Sequence, residues 1–226
     1  MKTVGILGGM GPEATILLMQ KLLAAVPARD DADHLPLIVH QNPQVPSRIA
    51  AIIDGTGTDP GPVLAQMARD LQNAGAAALA MPCNTAHHYA PAVVAATPLP
   101  FLNMLDLTAA TLAAKGGRRI GMLASPATRL ARVFDAPFAA HRLTPVTLPD
   151  DSELLAIIRA IKAGEATAAL GPRLHAEAQL LVAEGADHLL VACTELSLMT
   201  DDLPANTPWT DSLDCLCAAI ADFAQS

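Results

Sequence analysis

Basic residues are few in this 226-residue chain: 14 Lys and Arg stand against 22 Asp and Glu, giving a formal net charge of −8. Such a chain lacks the positive footprint with which proteins grip phosphate backbones, so no nucleic acid is expected as a partner. Hydrophobic residues make up 52% of the sequence, yet no apolar run approaches the roughly 18 residues that a membrane helix needs, and no membrane partner is expected. The start, MKTVGILGG (Met1–Gly9), enters a strand pattern directly, without the apolar segment and small-residue cleavage site of a signal peptide. Only four cysteines occur, and no Cys or His cluster has zinc-ligand spacing. They read as reduced thiols of a cytoplasmic protein without a metal. Nucleotide motifs are also missing. GGMG (Gly8–Gly11) is neither G-x-G-x-x-G nor a phosphate loop ending in Lys-Ser/Thr. Placed between a strand and a helix, it suits close backbone approach to a small anion such as a carboxylate.

What is present is an alternation of short apolar strands and helices. Thr3–Leu7 reads as a strand, Glu13–Leu23 as a helix, Leu35–Val39 as a second strand and Val63–Ala74 as a helix closed by Gly75. Leu79–Met81 then forms a strand that delivers Cys83. This order predicts an α/β fold with a parallel sheet flanked by helices, in which ligands gather at the carboxyl ends of the strands. The second half repeats the first. Gly75, Ala76, Leu79 and Cys83 recur as Gly185, Ala186, Leu189 and Cys193, 110 residues on. Pro100–Asp106 recurs as Pro208–Asp214 at a shift of 108, and Val4–Leu7 as Ile120–Leu123 at a shift of 116. Three anchors in one order predict two copies of one α/β unit.

Two like units facing each other set their cysteines on opposite sides of a cleft. Two opposed thiols suit proton transfer between the faces of one carbon, one sulfur acting as base and the other as acid. A thiol with an ordinary pKa of about 8.5 can serve in either role when dipoles and hydrogen bonds hold one as thiolate. Asn84 and Thr85 follow one cysteine and Thr194 and Glu195 the other, each pair placed to supply such contacts. Cys215 and Cys217, in the Ala/Leu-rich helix pattern Leu213–Ile220, read instead as core. The adjacent His87 and His88 point about 100° apart on a helix and do not share a metal. His87 is a candidate for the border of the cleft.

GGMGPEAT (Gly8–Thr15), NPQVPSR (Asn42–Arg48), PCNTAH (Pro82–His87) and CTE (Cys193–Glu195) resemble, in that order, the aspartate/glutamate racemase family, most closely its aspartate racemase branch. The resemblance spans nearly the whole chain. It implies two pseudo-symmetric α/β domains, each a mostly parallel sheet flanked by helices, with the active site in the interdomain cleft. It assigns 1–98 with 208–226 to the first domain and 99–207 to the second. The segment from Pro100 then begins the second domain, and the strand and helix from Pro208 return to complete the first. It also implies a homodimer and cofactor-independent racemisation of a small acidic amino acid, aspartate foremost. Cys83 and Cys193 match the catalytic positions. Arg48 matches the arginine that holds the substrate's side-chain carboxylate, and Lys162 resembles a second cation beside it. Met10, Asn84, Thr85 and Thr194 match positions that bind the α-carboxylate and α-amino groups, and Glu195 one that receives the ammonium or supports its cysteine.

Ser47 departs from the pattern, standing where the branch often has Asp, as do Ile49 and Ala50, where Thr commonly follows the Arg. These departures leave aspartate, glutamate and a broader specificity open. A cysteine-dependent isomerase or decarboxylase of the same architecture, a non-catalytic amino-acid-binding protein and a redox thiol switch are the other readings of the same residues.

Overall fold

The computed structural model describes residues 1–226. The first half runs β1 (Val4–Gly8), α1 (Pro12–Ala25), β2 (Leu37–Gln41), α2 (Arg48–Ile52), α3 (Gly61–Asn73), β3 (Ala78–Ala80), α4 (Ala90–Ala96) and β4 (Phe101–Leu102). The second runs α5 (Met104–Ala114), β5 (Arg119–Leu123), α6 (Pro126–Leu130), α7 (Asp135–His141), β6 (Thr144–Val146), α8 (Ser152–Lys162), α9 (Thr167–Ala183), β7 (His188–Val191), β8 (Trp209–Asp211) and α10 (Ser212–Gln225). The strands form two four-stranded sheets, in the orders β2-β1-β3-β4 and β6-β5-β7-β8. Every pairing is parallel. Helices cover the sheets, which explains why β1, β3 and β7 are wholly buried and do not alternate apolar with polar residues. The α/β fold with two similar units is as the sequence predicts. No helix is long and apolar enough to cross a membrane.

The repetition extends to packing. A Cβ on Gly5 in β1 would lie 2.9 Å from Ala76 Cβ, 3.1 Å from Leu79 Cδ2 and 3.2 Å from Leu71 Cβ. On Gly121 in β5 it would lie 2.9 Å from Ala186 Cβ, 2.8 Å from Leu189 Cδ2 and 3.2 Å from Leu181 Cβ. The same three residue types, 110 positions apart, press a helix and a strand against the same bare backbone in both halves. Only glycine lets them approach so closely.

The halves exchange elements, and here the expected boundaries need correction. The strand after Pro208 does not complete the first sheet, because β8 lies beside β7, with Leu189 opposite Trp209. Nor does the segment from 99 belong wholly to the second unit, because β4 lies beside β3, with Leu79 opposite Phe101. The reason is hydrogen bonding: Leu79 N donates to Pro100 O and Leu189 N to Pro208 O, both at 2.9 Å, so each sheet's open edge captures the next strand in sequence. The chain changes unit one element later. After β4, α5 packs Leu105, Ala109 and Leu112 against Ile120, Phe134 and Phe138 of the second unit. After β8, α10 packs Leu213, Leu216, Cys217 and Ile220 against Val4, Ile6 and Leu18 of the first. Cys215 and Cys217 are both buried, and burial pushes the Cys217 thiol up to about 12.

Gly5→Val and Gly121→Val should each overpack their strand–helix contact and destabilise the protein by about 1–3 kcal/mol. Urea denaturation checks this, and an unchanged midpoint in either variant would show that the facing helix yields.

Candidate active site

A cavity of about 490 Å³ lies where the carboxyl ends of the two sheets face each other. Each unit delivers a cysteine to it in the same way. β3 ends and Met81 and Pro82 carry the chain to Cys83, followed by a 3-10 turn over Thr85–Tyr89. β7 ends and Ala192 leads to Cys193, followed by a turn over Leu196–Asp202. Both cysteines line this one cavity, and each residue is nearly buried, at 8% exposure. The structure brings all nine residues singled out from the sequence to its walls. Met10, Arg48, Cys83, Asn84 and Thr85 come from the first unit, and Lys162, Cys193, Thr194 and Glu195 from the second. No group of three or more His, Cys, Asp or Glu side chains is arranged to hold a metal ion.

Hydrogen bonds fix the orientation of most of these side chains. Cys193 Sγ donates to Glu195 Oε2 at 3.0 Å, and the other oxygen, Oε1, is ion-paired with Lys162 at the end of α8. Burial and then the Glu195 charge push the Cys193 thiol well up, against the opposing pull of Lys162. Burial alone lowers Lys162, but the Glu195 carboxylate outweighs it and holds the ammonium above its ordinary value. Asn84 Nδ2 donates to Ser212 Oγ at 2.9 Å, and Ser212 Oγ donates to Val191 O at 3.0 Å. This leaves Asn84 Oδ1 buried with no hydrogen-bond partner. Arg48 opens α2 behind Ser47, whose hydroxyl caps the helix by accepting from Ala50 N. Its Nη1 donates to Pro46 O at 3.0 Å and Val45 O at 3.3 Å. No carboxylate pairs with it, which leaves other guanidinium N–H groups for an anion.

Two of the expected ligands have another task. Thr85 Oγ1 and Thr128 Oγ1 share a buried hydrogen bond of 2.8 Å, and Thr194 Oγ1 donates to Pro82 O at 3.3 Å. Both bonds join one unit to the other, so these hydroxyls hold the cleft walls together at its base. His87 does not line the cavity. It lies buried behind Cys83, donating from Nδ1 to Cys83 O at 2.8 Å and accepting at Nε2 from Met104 N. Burial lowers its pKa to about 4, so the ring is neutral. His88 is exposed.

Sequence reasoning missed Glu13 and Ser125, which also line the cavity. The 116-residue shift places Ser125 where the first unit has Gly9, so the repeat held that signal. Glu13 stands in the quoted motif without a role. Around Gly11, the point a Cβ would occupy lies within 3.5 Å of Glu13 Oε2, Glu195 Oε1 and Lys162 Nζ, so side chains of both units crowd the bare backbone there.

A family model described as Asp/Glu/Hydantoin racemase matches residues 7–220. The broad specificity amino-acid racemase RacX of Bacillus subtilis (strain 168) is 25% identical over 231 residues, covering 94% of this chain and 94% of the relative. The solved structure of Picrophilus torridus aspartate racemase superposes with a TM-score of 0.86 at 28% identity, covering 100% of this chain and 95% of that one. The glutamate racemase of Francisella tularensis subsp. tularensis SCHU S4, solved in complex with D-glutamate, shares the fold at 14% identity with a TM-score of 0.68, covering 98% and 80%.

Two outcomes follow from this geometry. Thr85→Val leaves the Thr128 hydroxyl buried and unpaired and should cost about 1–3 kcal/mol, whereas Thr85→Val with Thr128→Val should recover part of that loss in a double-mutant cycle. His87 binds its proton less tightly folded, at about 4, than unfolded, at 6.5. Its stabilising contribution is therefore complete above about pH 6.5 and lost as pH falls toward 4. The unfolding free energy of wild type minus that of His87→Gln should shrink over this window in urea titrations. A constant difference would contradict the buried neutral ring.

Proposed function

Because the chain belongs to the Asp/Glu/hydantoin racemase family, we propose that it racemises an acidic amino acid, aspartate foremost, by a two-thiol mechanism that needs no cofactor. The observation that carries this reading is that Cys83 and Cys193, one from each duplicated unit, line the same cavity. With the α-carbon between the sulfurs, one thiolate removes the α-hydrogen and the opposite thiol returns a proton to the other face. Holding the reacting atoms about 3–3.5 Å apart is the positioning such a transfer needs.

The surrounding groups suit an amino-acid zwitterion. Asn84 and Glu195 line the cleft and suit the α-ammonium. The backbone N–H groups of Met10 and Gly11 at the amino end of α1 are of the kind that bind a carboxylate. Fixed donors there, with the retained ammonium and a cleft that excludes water, stabilise carbanionic charge at the α-carbon. Arg48, free of any carboxylate partner, suits a side-chain carboxylate, with Lys162 a second cation lining the same cavity. Aspartate is supported by similarity along the whole chain to the Picrophilus aspartate racemase.

A broader substrate range is the second reading. Val45, Ile49 and Ile158 put apolar surface into the cleft beside Arg48, and the Bacillus relative is a broad specificity racemase. A homodimer belongs to the proposal as well, supported by the exposed apolar residues Ile16, Met19 and Leu23 on α1.

Cys83→Ala and Cys193→Ala should each lower aspartate racemisation by about 10²–10⁴-fold, the range for loss of a positioned acid or base. Chiral chromatography of L- and D-aspartate reactions measures it, alongside a panel of glutamate and neutral amino acids. Full racemase activity in either single variant would remove the two-thiol mechanism, and binding without isomerisation by the wild type would leave only an amino-acid-binding protein.

A further inference from the structure

Ser212, the first residue of α10, is wholly buried and carries a hydroxyl that the helix does not need. Asp211 already caps α10, accepting from Leu213 N at 2.8 Å. Nor does the fold ask for a hydroxyl at this place. The shift of 108 sets Asp211 and Ser212 against Asn103 and Met104. In the other copy α5 opens in the same way, capped by Asn103, with the apolar Met104 wholly buried where α10 has Ser212.

What the hydroxyl does is hold Asn84. Ser212 Oγ accepts from Asn84 Nδ2 at 2.9 Å and donates to Val191 O at 3.0 Å. A serine has one hydroxyl hydrogen, and a carbonyl can only accept, so that hydrogen is committed to Val191. Ser212 can therefore meet Asn84 only as an acceptor. An amide turned the other way would set its oxygen against the hydroxyl lone pairs with no hydrogen between them. Ser212 thus dictates the polarity of an amide that lines the cleft directly after Cys83, holding its nitrogen and leaving its oxygen without a donor from the protein. The second unit has no counterpart, since Thr194 stands in the place of Asn84 and donates to Pro82 O.

Resting on the amino-acid reading above, we propose that Ser212 is a positioning residue for substrate binding, fixing the Asn84 amide so that it accepts from the substrate's α-ammonium. The reverse polarity would turn an NH2 group toward an ammonium, donor against donor. The α-ammonium is present before, during and after removal of the α-hydrogen. An acceptor held for it stabilises substrate and transition state alike, so losing it weakens binding and leaves the chemical step nearly as fast.

The test compares full-length wild type, Ser212→Ala, Ser212→Thr, Asn84→Ala and the Ser212→Ala/Asn84→Ala pair. Chiral chromatography gives kcat and KM for aspartate, or for the amino acid of the panel that the wild type prefers. Calorimetric titration with the racemate, in which turnover makes no net change, gives Kd. Ser212→Ala should raise KM and Kd about two- to tenfold, the effect of one hydrogen bond, with kcat within about twofold of wild type. Ser212→Thr, which keeps the hydroxyl, should restore most of the affinity. In the Asn84→Ala background, Ser212→Ala should add nothing to Kd, because the amide through which it acts is gone. A fall in kcat at unchanged KM would overturn the proposal, since Ser212 would then only brace the strand that delivers Cys193. So would a loss of affinity that adds in full to that of Asn84→Ala. Ser212→Cys, whose sulfur is a poor acceptor, serves the same comparison if Ser212→Ala does not fold. Failure of the amino-acid reading shows separately, as a wild type that neither binds nor racemises any member of the panel.

Discussion

A parallel strand buried on both faces has no side available for chemistry, because every residue along it faces a helix. Only where the strand stops can it hand a side chain to a ligand. The whole active-site design depends on that constraint. β3 and β7 each stop short, and each passes the chain through one or two buried residues to a cysteine before a turn begins. Since the two sheets repeat one plan, their strand ends repeat it too, and two equivalent sulfurs arrive at one cavity. The chemistry of proton exchange across a carbon asks for two such groups on opposite sides.

A shared cavity between two units works only if the walls hold still. Three features fix them here. The chain crosses between units twice, sending α5 one way and α10 the other, and these two helices also pack on each other. Buried hydroxyl contacts join the units at the cleft base, from Thr85 to Thr128 and from Thr194 to Pro82. On the far side α2, carrying Arg48, touches α6. Within this frame the hydrogen bonds are uneven, since Cys193 donates to Glu195 while no carboxylate accepts from Cys83.

Much of this was legible in the residues themselves. The repeat spacing from Gly75 to Cys83 and from Gly185 to Cys193 carried the duplicated unit, because a glycine after a helix, an apolar strand and a polar residue at its end are local signals. All nine candidate side chains reach the cavity for the same reason, since each follows a strand end or opens or closes a helix. What was not legible depends on pairing at long range. β4 and β8 each join the sheet of the preceding strand, a choice made by open edges that no local pattern reveals. The Lys162–Glu195 pair spans 33 positions, and Thr128 meets Thr85 from 43 away. His87 looked like a cleft residue from its neighbours in sequence, but the ring turns inward to bridge Cys83 and Met104.

The exchanged helices carry a consequence for what can be done with this molecule. Although the two sheets repeat one plan, the halves are not separable modules. Cutting the chain before Ser212 would uncover Val4, Ile6 and Leu18, and a second half lacking Leu105 and Leu112 would leave Phe134 and Phe138 facing water. Each half is therefore completed by the helix that follows the other half's last strand, and the one cleft belongs to the undivided chain.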